Sequence, residues 1–282
     1  MKSIPLWMRA LRWYALHTPI QRGAYRLGLK LYQHLSIPDI KTTVTLDKTL
    51  NIKLNLRNWV DYNIYCLGLY EAPLARFFIH SIKTESVVLD IGAYIGQYTL
   101  LAAKYAKEGK VIALEPHPES YNCLKENISI NNFKNAQAIN AAASIRTGHS
   151  YFRLSSFNNS LIPEIKYDID SILVSSVSID DLVKSLNLDR LDLIKIDVEG
   201  HEGFVIRGAQ ETLTLFRPML IVELSWEDEQ VFGDTPEMVL DELRKFGYSF
   251  FTLHGSKMKP LTNFAGINYE NIIAKPMIYE LY

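Results

Sequence analysis

The chain reads as an α/β protein built on a Rossmann-like, doubly wound, mostly parallel sheet, with antiparallel strands at its C-terminal end and N-terminal helices and a β-hairpin ahead of it. Two observations predict this class. From residue 86 onward, short apolar runs alternate with helical stretches, the grammar of strand–helix–strand crossovers. With 282 residues, 48% hydrophobic and 22% charged, the chain can also bury a substantial core, unlike the depleted composition of a disordered protein.

The elements follow in order. Helices are expected over 3–17 and 19–35, where Trp7, Ala10, Leu11 and Tyr14, then Ala24, Leu27, Leu31 and Leu35, recur at helical spacing. Pro19 suits the first turn of the second. Thr43–Leu46 and Leu50–Leu54 alternate around Asp47-Lys48-Thr49 and predict a hairpin. Residues 62–82 read as helical or mixed, closing an extension over 1–82 that precedes a main domain over 83–282. In that domain the expected order is a strand at Ser86–Ile91, a helix at Gly96–Lys107, a strand at Lys110–Leu114, a helix at Pro118–Asn131 and a strand at Asn135–Ala141. An irregular insert runs to about 172. Then come the strand Ile172–Ser178, a helix at 179–187, the strand Leu191–Ile196, a helix from about 203, the strand Met219–Leu224, a helix at 236–246 and antiparallel strands at Tyr248–Leu253 and Asn271–Lys275.

Charge and composition exclude several functions. No apolar run reaches the roughly 18 residues of a membrane-spanning helix. Cys66 and Cys123 lack the spacing of a disulfide framework or zinc site and fit a reducing, cytoplasmic setting. Arg9, Arg12 and the break at His17-Thr18-Pro19 leave no signal-peptide core. Residues 1–38 hold six basic side chains and no acid, which leaves −7 on the rest of a chain of net charge −1. An acidic body disfavours nucleic acid as a partner, whereas the basic start, with Trp7, Trp13 and Tyr14, suits peripheral contact with a membrane or partner enzyme. Packing on the domain through the same apolar faces is the competing expectation.

The chemistry starts at Val87-Val88-Leu89-Asp90-Ile91-Gly92-Ala93-Tyr94-Ile95-Gly96, a strand ending in an acid that opens through a glycine turn into a helix. Gly92 and Gly96 are four apart, so this is not the G-x-G-x-x-G dinucleotide turn. The spacing Asp90-x-Gly92-x-x-x-Gly96 instead resembles the loop of S-adenosylmethionine-dependent methyltransferases of the doubly wound class. Glu115 ends the next strand 23 residues after Gly92, near the roughly 20 expected of a carboxylate that accepts both ribose hydroxyls. Asp90, Gly92 and Glu115 therefore share the crevice at the strands' carboxyl ends.

The blocks DIGAYIGQYTLLAAK, VIALEPHPESYNCLKENI, VSSVSIDDLV, LDLIKIDVEGHEGFVIRGAQETL and RPMLIVEL together resemble the FkbM family of methyltransferases over roughly residues 71–253, most distinctively at Asp197–Glu202. The resemblance implies S-adenosylmethionine as donor and O-methylation of a sugar or glycan hydroxyl, or of a secondary metabolite; a non-catalytic nucleotide-binding regulator is the remaining alternative. The implied cofactor residues are Asp90, Gly92, Ala93 and Gly96 in the loop, Glu115 and Pro116 after the second strand, and Glu71 and Ala142. Tyr94 stands where the family usually has Asn, which leaves the methionine end of the donor to Gln97 or Glu71.

Leu191–Ile196 delivers Asp197, Glu199, His201 and Glu202 to the same sheet edge, and Glu223 interrupts the apolar run Leu220–Leu224. A lone buried carboxylate is costly without a partner, so these residues read as one polar site. His201 has the ordinary pKa of a general base, and Asp197 with Glu199 or Glu223 could orient it or ligate a divalent cation. Capping of the following helix by the acids is the structural alternative. Asn159 and Ser160, in the insert, are candidates for hydrogen bonding to substrate hydroxyls.

Overall fold

The computed structural model describes residues 3–17, 21–35, 37, 39–153, 161–162, 171–225, 234–255, 257–262 and 269–277. Helices α1 (Leu6–His17) and α2 (Gln21–His34) lead into a hairpin of β1 (Lys41–Leu46) and β2 (Leu50–Asn55), paired in the register Val44↔Ile52. Pro19 lies outside the described residues. Helix α3 (Trp59–Leu67) ends at Gly68 and is followed by α4 (Ala72–Ser81). Met8, Leu11 and Ala15 of α1 are buried at helical spacing, so this face packs inward, while Leu6, Trp13 and Leu16 stand exposed.

The main sheet then runs β3 (Val87–Ile91), α5 (Gln97–Tyr105), β4 (Lys110–Leu114), α6 (Pro118–Ile130) and β5 (Ala136–Ile139). The stretch read as an irregular insert instead supplies β6 (Ala142–Ala143), β7 (Gly148–Arg153) and β8 (Leu161–Ile162), which join β9 (Ser171–Val177) in a separate four-stranded sheet of order β6-β9-β7-β8. Its sequence signal is weak because β7 buries only Phe152, and the other side chains show no alternation. After α7 (Ile179–Ser185) the chain returns through β10 (Leu193–Ile196), α8 (Glu202–Arg207) and α9 (Gln210–Phe216) to β11 (Met219–Ser225), α10 (Pro236–Lys245), β12 (Tyr248–His254), β13 (Lys257–Pro260) and β14 (Tyr269–Pro276). The single helix expected from 203 is thus two, divided at Gly208 and Ala209. Strand β13, not foreseen, carries two lysines and a proline, residues that suit its place at the sheet edge.

The strand order β13-β12-β14-β11-β10-β3-β4-β5 combines a parallel centre with an antiparallel end. All five residues of β3 are buried, as in a parallel strand covered on both faces. From β3 the chain winds outward to β4 and β5, then crosses back to lay β10 on the other side of β3. Ligands bind at such a reversal, outside the strands' carboxyl ends. One apolar cluster joins Val88, Val111, Leu193 and Ile221 of the sheet with Met8, Leu11, Ile52, Tyr62 and Phe78 of the first 82 residues. Among the described residues no helix is long and apolar enough to cross a membrane.

Candidate active site

The turn after β3 is shaped by close backbone packing. Gly92 has φ +80°, and a Cβ there would lie 1.7 Å from the carbonyl oxygen of Asp197, so the ends of β3 and β10 approach as only glycine allows. Gly96 has φ +96° and sits against Leu124, 2.6 Å from a Cβ placed on it. Between them Tyr94 is held at φ 50°, a left-handed conformation that costs a tyrosine of order 1–3 kcal/mol and persists because its surroundings enforce it. Its N–H donates to Glu115 Oε2 at 2.7 Å, and the His117 N–H donates to Oε1 at 2.8 Å. Glu115 is therefore fixed by two amides at the end of β4. Burial still pushes its pKa up to about 7 against those amides.

These strand ends open into a cavity of about 850 Å³, within the roughly 300–1,000 Å³ typical of ligand sites. Asp90, Gly92, Ala93, Glu115, Pro116 and Ala142 line it, as do Asp197, Glu199, His201 and Glu223. With Gln97, eleven of the expected residues thus line one cavity. Gly96 shapes the turn without lining the cavity. Glu71 also stands off the wall, where its carboxylate accepts from Asn271 Nδ2 at 2.9 Å and from the Tyr98 hydroxyl at 3.3 Å. Gln97 pairs its amide with the backbone of Tyr70 at 2.8 and 3.0 Å, which ties the turn to the preceding segment. Asn159 and Ser160 lie outside the described residues.

Lys195 was not foreseen. It is one residue of β10, 2% exposed, directly across from Asp90 in the parallel register, and its Nζ donates to Asp197 Oδ2 at 2.6 Å. The ammonium also lies 4.6 Å from the centre of the Tyr98 ring. Burial works to lower its pKa, but Asp197, Asp90, Glu223 and Glu71 outweigh it and hold the group charged, above the ordinary lysine value. A charged ammonium thus stands beside Asp197, and among the described residues no group of three or more His, Cys, Asp and Glu is arranged to hold a metal ion. Burial raises the pKa of Asp90 and Glu71, with Lys195 opposing it in both cases.

His201 departs from its expected part. It is 8% exposed, stacked on Phe204 with ring centroids 4.3 Å apart, and its Nε2 lies 3.1 Å from Ser144 Oγ. Burial pushes its pKa down to about 3, so the ring stays neutral and is a poor proton acceptor. Glu202 accepts from the amides of Val198 and Gly200, both at 3.2 Å, and braces the loop rather than the cavity. Glu199 is held there at φ 53°. The acids around the helix start thus differ: Glu202 accepts from loop amides that precede the helix, the N-cap His201 makes no side-chain cap hydrogen bond, and Asp197 and Glu199 line the cavity.

The floor is anionic, rigid and rimmed by apolar side chains such as Ala141, Ala143 and Phe152, which suits an adenosine-bearing ligand with positive charge near its reacting atom. Comparison with known proteins agrees. The methyltransferase FkbM domain matches residues 90–250, more than half the chain. Methyltransferase sdnD of Sordaria araneosa is 26% identical over 181 residues, which cover 53% of this chain and 70% of that protein. Hexuronic acid methyltransferase AglP of Haloferax volcanii is 26% identical over 143 residues, covering 51% and 58%. 2-O-methyltransferase NoeI of Sinorhizobium fredii is 26% identical over 184 residues, covering 58% and 73%. The chain belongs to the FkbM family of methyltransferases, enzymes that use S-adenosylmethionine as methyl donor.

Proposed function

We propose that this enzyme transfers the methyl group to a hydroxyl of a sugar or glycan. The observation that carries the reading is a carboxylate facing the cavity, Asp197, pinned through one oxygen by a fully buried lysine at the switch point of the sheet. The names of two relatives, one specifying a hexuronic acid and the other 2-O-methylation, support oxygen and a sugar as the target.

S-adenosylmethionine supplies an electrophilic methyl on a sulfonium. In our reading Glu115 accepts the ribose hydroxyls, and Pro116, Ala142 and Phe152 flank the adenine, while Asp90, Gly92, Ala93 and Gly96 shape the turn against which the donor lies. The ion-paired Asp197 orients the acceptor hydroxyl and takes its proton as the oxygen forms the new C–O bond; the C–S bond breaks and its electron pair returns to sulfur, which loses its charge. Methyl transfer in line needs this alignment more than it needs a strong base. Glu199 and Glu223 keep the surroundings negative, and His201 holds the loop through Ser144 and Phe204. Extra buried acids raise the energy of the empty site, and a cationic donor relieves that cost.

The test is incubation with isotopically methyl-labelled S-adenosylmethionine and a panel of uronic acids, neutral sugars, oligosaccharides and phenolic metabolites, with mass spectrometry of the products. Label on a sugar oxygen is the expected result. Label on the phenols alone would overturn the sugar assignment in favour of a small-metabolite substrate.

A further inference from the structure

The cavity has a second end, built from residues that precede the main sheet. Tyr32, Arg57, Asn58 and Trp59 line it together with the acids of the floor. Two lysine or arginine residues line the cavity among the described residues, Lys195 and Arg57. Lys195 is committed to Asp197. Arg57 is exposed, and its guanidinium makes no hydrogen bond or ion pair with any described residue. Its backbone, by contrast, is held at both ends: the N–H donates to Asn55 Oδ1 at 3.2 Å and the carbonyl accepts from the Tyr32 hydroxyl at 2.8 Å. Beside it the half-buried Trp59 ring meets Tyr32 edge-on, with centroids 4.8 Å apart, and lies nearly parallel to Tyr62 at 6.0 Å. Arg57, on a pinned backbone, and Trp59, packed on two tyrosine rings, thus line the same cavity as Asp197.

We infer that Tyr32, Arg57 and Trp59 form the acceptor subsite and that the acceptor is an anionic sugar. This rests on the methyl-transfer reading above. The apolar face of a pyranose packs against a flat aromatic surface, and a guanidinium fork matches a carboxylate or phosphate with two parallel hydrogen bonds. The charge layout gives the orientation. Carboxylates at the floor repel the anionic substituent toward Arg57, while the sugar's neutral hydroxyls are free to approach Asp197. A neutral acceptor would gain only ordinary hydrogen bonds from the guanidinium, without the charge-assisted fork, and a cationic one would be drawn to the floor, where the donor's sulfonium belongs.

The experiment pairs acceptors that differ in charge alone: glucuronate against glucose, galacturonate against galactose, and glucose 6-phosphate as the phosphate arm. Binding to the enzyme loaded with S-adenosylhomocysteine is read by saturation-transfer NMR, and methylation by label. Expected are a preference of wild type for the charged member of each pair and its loss, by roughly tenfold or more, in Arg57→Gln. Arg57→Lys should retain part of it, and Trp59→Leu should weaken charged and neutral sugars alike. The uronate and phosphate arms tell which anion the fork takes. Affinity for S-adenosylhomocysteine should stay within about twofold in Arg57→Gln, since the arginine is remote from the donor's role in this account. Equal binding of charged and neutral sugars would overturn the subsite while leaving the methyltransferase reading intact. So would a loss of S-adenosylhomocysteine affinity in Arg57→Gln, which would assign the arginine to the donor's own carboxylate. Binding of uronates without methylation of any sugar would support the subsite and count instead against Asp197 as the reacting centre.

Discussion

The floor and the rim of the cavity are made by opposite means. The floor consists of strand ends, where β3, β4, β10 and β11 deliver Asp90, Glu115, Asp197 and Glu223, and one buried ammonium, Lys195, is paired there with Asp197. The rim comes from α2, the turn between β2 and α3 that carries Arg57, and the start of α3; Arg57 is exposed, and among the described residues its guanidinium makes no ion pair. A charge paired inside the protein sets the electrostatics of a reaction; one left facing solvent can select what enters. The contrast teaches that rate and donor affinity should be properties of the floor, and acceptor choice a property of the rim.

Substitutions can break that division. The largest expected effect is on turnover in Asp197→Asn, a fall of roughly 10²–10⁴ with donor affinity nearly unchanged, measured by steady-state rates and calorimetric titration of S-adenosylhomocysteine. An equal fall in Arg57→Gln with saturating acceptor would erase the distinction between floor and rim. Next comes Lys195→Met, which leaves Asp90, Asp197, Glu223 and Glu71 facing one another. Removing one partner of a buried ionic group costs about 3–5 kcal/mol, so denaturant unfolding should show a loss of that order, far more than in Asp197→Asn, where the lysine keeps other carboxylates.

A smaller effect sharpens the picture of the floor. Because burial raises the Glu115 pKa to about 7, the empty site holds a proton there below that pH, and ribose hydroxyls favour the ionised form. Donor binding should therefore release a proton, and affinity should rise with pH by up to about tenfold per unit until it levels near pH 7. The sign for folding is the reverse. A carboxyl raised in the folded state makes the protein less stable as pH climbs from its unfolded pKa, near 4.5, to about 7, and buried Asp61, also pushed up to about 7, adds to that slope. Titration in two buffers of different ionisation enthalpy reads the proton, and Glu115→Gln should abolish this part of the pH dependence. The smallest effect belongs to His201→Gln. Turnover should fall by much less than the roughly hundredfold expected when a general base is lost. A drop of several hundredfold would return His201 to the reaction.

Much of this molecule is legible in one dimension. The buried runs of β3, β4 and β11, the hairpin at 41–55, the acid-and-glycine turn and Glu115 all follow from local periodicity and spacing, because strands covered on both faces and turns at positive φ leave composition signals where they occur. Of the second sheet only β9 left such a signal: β6 and β8 are two residues each, and β7 buries Phe152 alone. Nor did the sequence distinguish among the polar residues of the β10 loop: Asp197 and His201 are four residues apart and both line the cavity, yet one is paired with an ammonium and the other is buried against Phe204 with its pKa near 3. Lys195 looked like an ordinary strand lysine because its meaning comes from Asp90, 105 residues away, lying opposite it in the sheet. The rim likewise exists only once α2 and α3 pack beside the strand ends. Local chemistry determined the fold class and the acid-and-glycine turn; which charges are paired, which are buried and which line the cavity was decided by tertiary structure, because charge energetics depend on distance and solvent exposure, and neither is a property of sequence position.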